Sequence, residues 1–170
     1  MTIRVGIGAL ALGAALLAGG AGARADDDDE RDFRARLLSY EEVPSVSSTA
    51  RGAFRARVSA DEDTIEFDLR YDDLEGTTVT AAHIHLGQRD ANGGVSAFLC
   101  GGGGKDPCPP SPGRVHGFIT AADVIGPGAQ GLAAGELDEL LRAMRARVTY
   151  ANVHTDKHPS GELRGQIRED

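Results

Sequence analysis

The stretch TIEFDLRY (64–71) decides the fold. Ile65, Phe67, Leu69 and Tyr71 alternate with Glu66, Asp68 and Arg70. Successive side chains of a strand point to opposite faces, so this segment has one apolar face and one charged face. A period of two with polar residues on one side marks an antiparallel strand that buries a single face. The same pattern continues upstream. In GAFRARVS (52–59), Phe54, Ala56 and Val58 share a face, with Arg55 and Arg57 on the other, and ADEDT (60–64) supplies the turn between the two runs. Further out, FRARLLSYEEVP (33–44) reads as a first strand ended by Pro44.

Downstream, DDLEG (72–76) is a turn, TVTAAHIHLG (78–87) a strand, and GVSAFLC (94–100) and RVHGFIT (114–120) two more. Thr120-Ala-Ala-Asp123 has the spacing of a capping box and predicts a short helix there. In GELDELLRAMRA (135–146), Leu137, Leu140, Leu141 and Met144 fall at i, i+3, i+4 and i+7, the packing face of a helix. RVTYANVH (147–154) and ELRGQIR (162–168) close the chain as two strands, joined by TDKHPSG with its turn-forming Pro159 and Gly161. The expected class is all-β. About seven or eight strands form an antiparallel β-sandwich or flattened Greek-key barrel, with one short helix before the last hairpin.

The first residues, MTIRVGIGALALGAALLAGGAGARA, carry Arg4, an apolar run from Val5 to about Ala18, then small residues ending Ala23-Arg24-Ala25. That three-part layout predicts a signal peptide over 1–25, cleaved after Ala25. The apolar run is short for a membrane span, so no membrane insertion is expected after cleavage. No Cys lies near the cleavage point to carry a lipid, and no Arg-Arg pair precedes the apolar run, which favours the general export route. The domain plan is a cleaved signal peptide (1–25), an acidic leader (26–32) containing DDDDE, and one domain over 33–170. The expected location is periplasmic or extracellular. The chain has 26 acidic and 18 basic residues, and loss of Arg4 and Arg24 makes it more acidic still. Nucleic acid and anionic membrane surfaces are therefore poor partners; the partner is left as an unidentified protein or small ligand.

Cys100 and Cys108 are the two cysteines. An even count in an exported chain reads as a disulfide, here closing the loop CGGGGKDPC. Their spacing does not suit a C-x₂₋₄-C metal clamp. The tract GGGGKD is not a phosphate loop, because Leu99 stands where the first glycine belongs and Asp106 follows Lys105. There is no G-x-S-x-G elbow and no H-E-x-x-H. Trp is absent, which argues against a sugar-stacking platform.

The segments Glu42-Val43-Pro44, Ala82-His83-Ile84-His85 with Gly87, Asn152-Val153-His154-Thr155, and Pro159 with Gly161-Glu162-Leu163-Arg164-Gly165-Gln166 occur here in that order. Together they resemble the CHRD domain family, first described in chordin and widespread in exported bacterial proteins. The likeness covers about residues 36 to 168. It implies a stand-alone secreted β-sandwich without an established enzymatic activity, and a family motif comprising Glu42, Pro44, Asn152, Gly161, Glu162, Arg164 and Gln166. The cysteine loop and the tract from Gly126 to Gly135 lie outside that pattern.

The candidate site is the histidine set. His83 and His85 share one face of their strand, and Tyr150, Asn152 and His154 share a face of theirs. If the two strands are neighbours, three imidazoles converge, with His116 or His158 as less favoured additions. Imidazole suits zinc and copper. The preferred reading is a structural polar clasp of His83, His85 and His154 tying the AHIH strand to the closing hairpin; a copper or zinc site is the alternative, and neither metal is favoured as a cofactor. The H-x-H strand is also similar to the copper/zinc superoxide dismutase family, and that likeness raises dismutase-like redox chemistry as part of the alternative. The dismutases need a larger histidine set and a bridging Asp, whereas this chain has five histidines, so the similarity is one of architecture. Arg164 is expected to pair internally with a carboxylate such as Glu42. No catalytic residue is assigned.

Overall fold

The computed structural model describes residues 1–2 and 31–170. The rest of the expected signal peptide and the DDDDE run lie outside the described residues. The elements are β1 (Asp32–Leu38), β2 (Arg51–Val58), β3 (Thr64–Asp72), β4 (Val79–Leu86), β5 (Gly94–Cys100), β6 (Gly113–Thr120), α1 (Leu137–Arg145), β7 (Thr149–Thr155), β8 (Leu163–Gln166) and the two-residue β9 (Arg168–Glu169). All strand pairs are antiparallel. Eight strands follow the order β5-β4-β7-β8-β1-β2-β3-β6, and β9 pairs β1 off that path. Three consecutive hairpin strands with β8 returning beside β1 form a Greek key. The sheet is nearly closed, as the alternating pattern predicts.

The open seam lies between β5 and β6, the two ends of the strand order. Three features lace it. Cys100 and Cys108 form the expected disulfide, with Cα atoms 5.0 Å apart. Val124, just after β6, bridges to Ala97 of β5, and the Lys105 ammonium donates to the Phe118 carbonyl (2.8 Å) and pairs with Asp123 (2.7 Å). Covering the free edges removes a template for intermolecular pairing.

The interior holds the residues that the alternation points inward: Phe54, Ile65, Phe67, Leu69 and Ile119 from β2, β3 and β6, with Ile84 and Val153 opposite. Phe54 and Phe67 stack with centroids 6.3 Å apart. From α1, Leu137, Leu140, Leu141 and Met144 all enter this core, as the helical spacing requires. Full burial of one leucine is worth about 2 kcal/mol.

Three local expectations are corrected. The first strand ends at Leu38 and not at Pro44; residues Ser39–Glu41 form a 3-10 turn. The polar side chains from Ser39 onward leave the ladder because Glu42 is drawn onto β7, as described below. The capping box at Thr120–Asp123 is present, but it closes only a single 3-10 turn, Ala121–Asp123, since Val124 is needed for the bridge to β5. β1 also takes in Asp32, which pairs with Arg57 across β2, so the strand begins one residue inside the expected leader.

Candidate metal centre

The barrel carries a second buried layer on its outer surface. On β4, Ala82 and Ile84 point into the core and are fully buried, so His83 and His85 take the opposite face by alternation. On β7, Ala151 and Val153 are the core residues, so Tyr150, Asn152 and His154 share the histidines' side. The register places His83 opposite Asn152, His85 opposite Tyr150, and Ala81 opposite His154. In β8, Arg164 lies opposite Asn152 and Gln166 opposite Tyr150. Polar side chains on an outward face are normally wet, but these are covered by the chain around Glu42, by the β4–β5 loop and by the β7–β8 turn. His83 and His85 retain 8% and 7% exposure, and Arg164 2%.

Each covering segment is held by named bonds. Arg164 donates to the carbonyls of Gln88 (3.1 Å) and Ala91 (2.7 Å) and to Asn92 Oδ1 (3.1 Å), and its guanidinium carbon sits 3.6 Å above the Tyr150 ring. Gln166 donates to the carbonyls of Gly87 and Arg147. Asn92 donates to the Val43 carbonyl, and Arg89 pairs with Glu41, so the β4–β5 loop and the Glu42-Val43-Pro44 segment hold each other. Asn152 donates to Glu42 Oε1 (2.6 Å) and to the Leu163 carbonyl (2.7 Å). Gly161 closes the β7–β8 turn at φ +127°, where a Cβ would stand 2.6 Å from Glu42 Oε1 and 2.8 Å from Asn152 Nδ2. Only glycine satisfies both the backbone and the space. Glu162 is fully buried and anchors the next turn through the Glu75 and Gly76 amides.

Among the described residues, the expected Arg164–carboxylate pair does not form as a direct contact. The guanidinium is satisfied by carbonyls, an amide oxygen and an aromatic face, while Glu42 is taken by Asn152. Burial raises the Glu42 carboxyl to about 7, opposed by the Asn152 bond and the Arg164 charge. A planar guanidinium offers five donors, enough to cap a loop of carbonyls without an anion.

The three rings named from the sequence do meet. His83 Nδ1 lies 3.1 Å from His154 Nε2, and one ligating atom from each of His83, His85 and His154 can be chosen with all three within 4.8 Å of one another. His85 Nδ1 lies 3.0 Å from the Gly93 carbonyl, and His154 Nδ1 lies 3.0 Å from the Pro159 carbonyl. A carbonyl only accepts, so Nδ1 carries the proton in both rings and Nε2 carries the lone pair. His154 Nε2 is then the acceptor in its contact with His83, whose Nδ1 must donate. In neutral rings, the Nε2 atoms of His83 and His85 are thus bare lone pairs, and both are buried without a hydrogen-bond partner among the described residues. Burial, reinforced by His154 and His85, holds the His83 ring far down, to about 3. Burial lowers His85 to about 4 against the opposing Gly93 bond, and lowers His154 against that of Pro159. All three rings are neutral at physiological pH, the state in which imidazole ligates.

Aromatic packing fixes the rings. Tyr150 stacks on His85 at 4.7 Å with planes 4° apart, and Phe98 meets His83 edge-on at 4.4 Å. His116 and His158 lie elsewhere: His116 on β6 faces Glu66 at 3.6 Å, and His158 in the β7–β8 turn approaches Glu75 at 3.4 Å. The supports missed from sequence are Phe98, Gly93, Asn92 and the Gln88 and Ala91 carbonyls. Asn92-Gly93 within DANGG (90–94) is a turn signal, but nothing in it reveals that Arg164 would grip the loop from 72 to 76 residues away.

Among the described residues no helix is long and apolar enough to cross a membrane. No curated protein and no solved structure shows significant similarity to the chain. The family model for the CHRD domain matches residues 33–167. Glu42, Asn152, Gly161 and Arg164 meet in the buried layer, Gln166 holds its rim and Glu162 anchors the adjoining turn; the chain belongs to the CHRD domain family.

Proposed function

We propose that this protein is an exported, non-catalytic binding module, cleaved after Ala25, that works in the periplasm or outside the cell. The three-part leader and the Cys100–Cys108 disulfide support export, since such bonds persist in oxidising compartments. The observation that carries the binding reading is the histidine cluster itself. Its two bare, buried Nε2 atoms are acceptors that the fold leaves unused. Among the described residues, no hydroxyl or thiol hydrogen-bonds to any of the five imidazole rings, so the cluster lacks the nucleophile–base contact of acyl-transfer enzymes. It offers lone pairs to a ligand.

The test is production of the full chain with a C-terminal tag, followed by cell fractionation, intact-mass analysis and N-terminal sequencing. The expected product begins at Asp26 and leaves the cytoplasm. A chain retained inside with its first 25 residues intact refutes export. Sustained turnover of ester, peptide, glycoside or phosphoester reporters by the purified protein refutes the binding role.

A further inference from the structure

We infer that His83, His85 and His154 form a mononuclear copper site, in which one ring nitrogen of each residue ligates the ion. The inference rests on the binding reading above and names its ligand.

Four observations converge on it. The first is position. β4 presents two imidazoles on one face, and the register with β7 sets the third beside them, all within 4.8 Å. At the usual metal–nitrogen distance of about 2.0–2.1 Å, ligating nitrogens stand roughly 3.3–3.6 Å apart. The ligating set spans at most 4.8 Å, so its widest pair needs to close by about an ångström, a movement of rings rather than backbone. The second is the outer shell. A backbone carbonyl fixes the Nδ1–H of His85 and another that of His154, the arrangement that orients metal-ligating imidazoles and makes them better donors.

The third is unmet bonding. His83 and His85 are more than nine-tenths buried, yet their Nε2 atoms have no partner among the described residues. A clasp whose whole purpose was structural would use its lone pairs, because each buried acceptor left unmet costs about 1–3 kcal/mol. A bound cation satisfies them. The fourth is donor chemistry. The cluster offers three neutral nitrogens and no carboxylate, which excludes calcium and magnesium and suits copper and zinc. Arg164 stands behind Tyr150, on which His85 stacks. A buried set of neutral ligands near a guanidinium favours an ion of low charge that accepts few ligands. Monovalent copper meets both conditions better than divalent zinc. The part-exposed His154 is the side from which the ion enters.

The test uses the processed, tag-free chain with its disulfide intact. Copper(I) is offered against a bicinchoninate competitor, zinc is offered separately against a chromophoric chelator, and the copper adduct is read by X-ray absorption. The expected result is one copper equivalent with a nitrogen-only shell of imidazole character, and zinc held at least tenfold more weakly. The double variant H83A/H85A is expected to lose copper affinity by at least a hundredfold. His154→Ala, at the least buried ring, provides a second variant should the double variant fail to fold, and its melting curve is recorded beside its affinity.

Less than a tenth of an equivalent bound to the wild-type chain overturns the inference. So does binding that survives His154→Ala unchanged, which places the metal elsewhere, for example on the DDDDE run. Zinc bound as tightly as copper overturns the choice of metal. Export is scored on the same preparation: an exported, processed chain that binds neither metal refutes this inference alone, and a retained chain that binds copper refutes the export reading alone.

Discussion

Glu162→Gln is the sharpest test of the buried polar contacts around the closing hairpin. Glu162 has no exposed surface, and four donors converge on it. Oε1 accepts from the Glu75 amide (2.5 Å) and the Ser48 hydroxyl (3.3 Å); Oε2 accepts from the Gly76 amide (3.3 Å) and the Thr155 hydroxyl (2.7 Å). One carboxylate therefore ties the β3–β4 turn, the approach to β2 and the end of β7. Glutamine is nearly isosteric, so no cavity opens. Its amide nitrogen, however, must replace one oxygen. Whichever way the amide is placed, one backbone N–H loses its acceptor and faces another donor. A hydroxyl can rotate to accept instead, but an amide N–H cannot. The orphaned N–H costs about 1–3 kcal/mol, and the surviving bonds lose their charge assistance, for a total of about 3 kcal/mol. For a domain of this size that is a fall in Tm of about 10 °C.

The assay is reversible urea unfolding at pH 7 with the disulfide intact, with Glu139→Gln as the control. Glu139 is 45% exposed and paired with Arg142 on the helix surface, so its change should cost less than about 0.5 kcal/mol. A loss at Glu162→Gln below about 1 kcal/mol, with an unchanged denaturant slope, would mean that the four contacts do not carry the turn.

Two further outcomes follow from the buried layer and from the seam. The Glu42 carboxyl titrates near 7 when folded against an ordinary 4.5, so the folded state holds its proton more tightly; this contribution is complete below pH 4.5 and disappears as pH rises through 7, and amounts to about 3 kcal/mol at most. The lowered His83 and His85 act oppositely, since their contribution is present above 6.5 and lost as pH falls toward 4; the stability of wild type relative to Glu42→Gln should therefore decline between pH 4.5 and 7.5, and a flat difference across that range would refute the protonated carboxyl. Replacing both Cys100 and Cys108 with Ser opens a loop of eight residues' separation and should cost about 2.5 kcal/mol by chain entropy; equal unfolding midpoints for the variant and the oxidised wild type would show that the seam does not depend on this bond.

Some features were legible in the sequence because they are local. Alternation in TIEFDLRY and GAFRARVS dictates which side chains enter the core, and the structure buries those residues. The leucine and methionine spacing in α1 likewise gave a helix with its apolar stripe inward. Even the face-sharing of His83 with His85, and of Tyr150 with Asn152 and His154, follows from strand periodicity alone. The first strand stops short of Pro44 although Tyr40 and Val43 are still β-formers, and nothing local says that Glu42 leaves the ladder to meet Asn152, 110 residues away.

The sequence by itself determined the all-β class, the inward and outward faces, the disulfide partners and the three candidate imidazoles, because period, pairing and composition are properties of neighbouring residues. Only the tertiary structure decided that β4 lies against β7 in the register that closes the histidines to within 4.8 Å. It also decided that Arg164 would hold carbonyls and a tyrosine face where a carboxylate was expected, and that two buried histidine nitrogens would have no partner among the described residues. Those outcomes depend on which distant segments share a surface and on how each buried donor and acceptor is satisfied there, and no local pattern encodes that accounting.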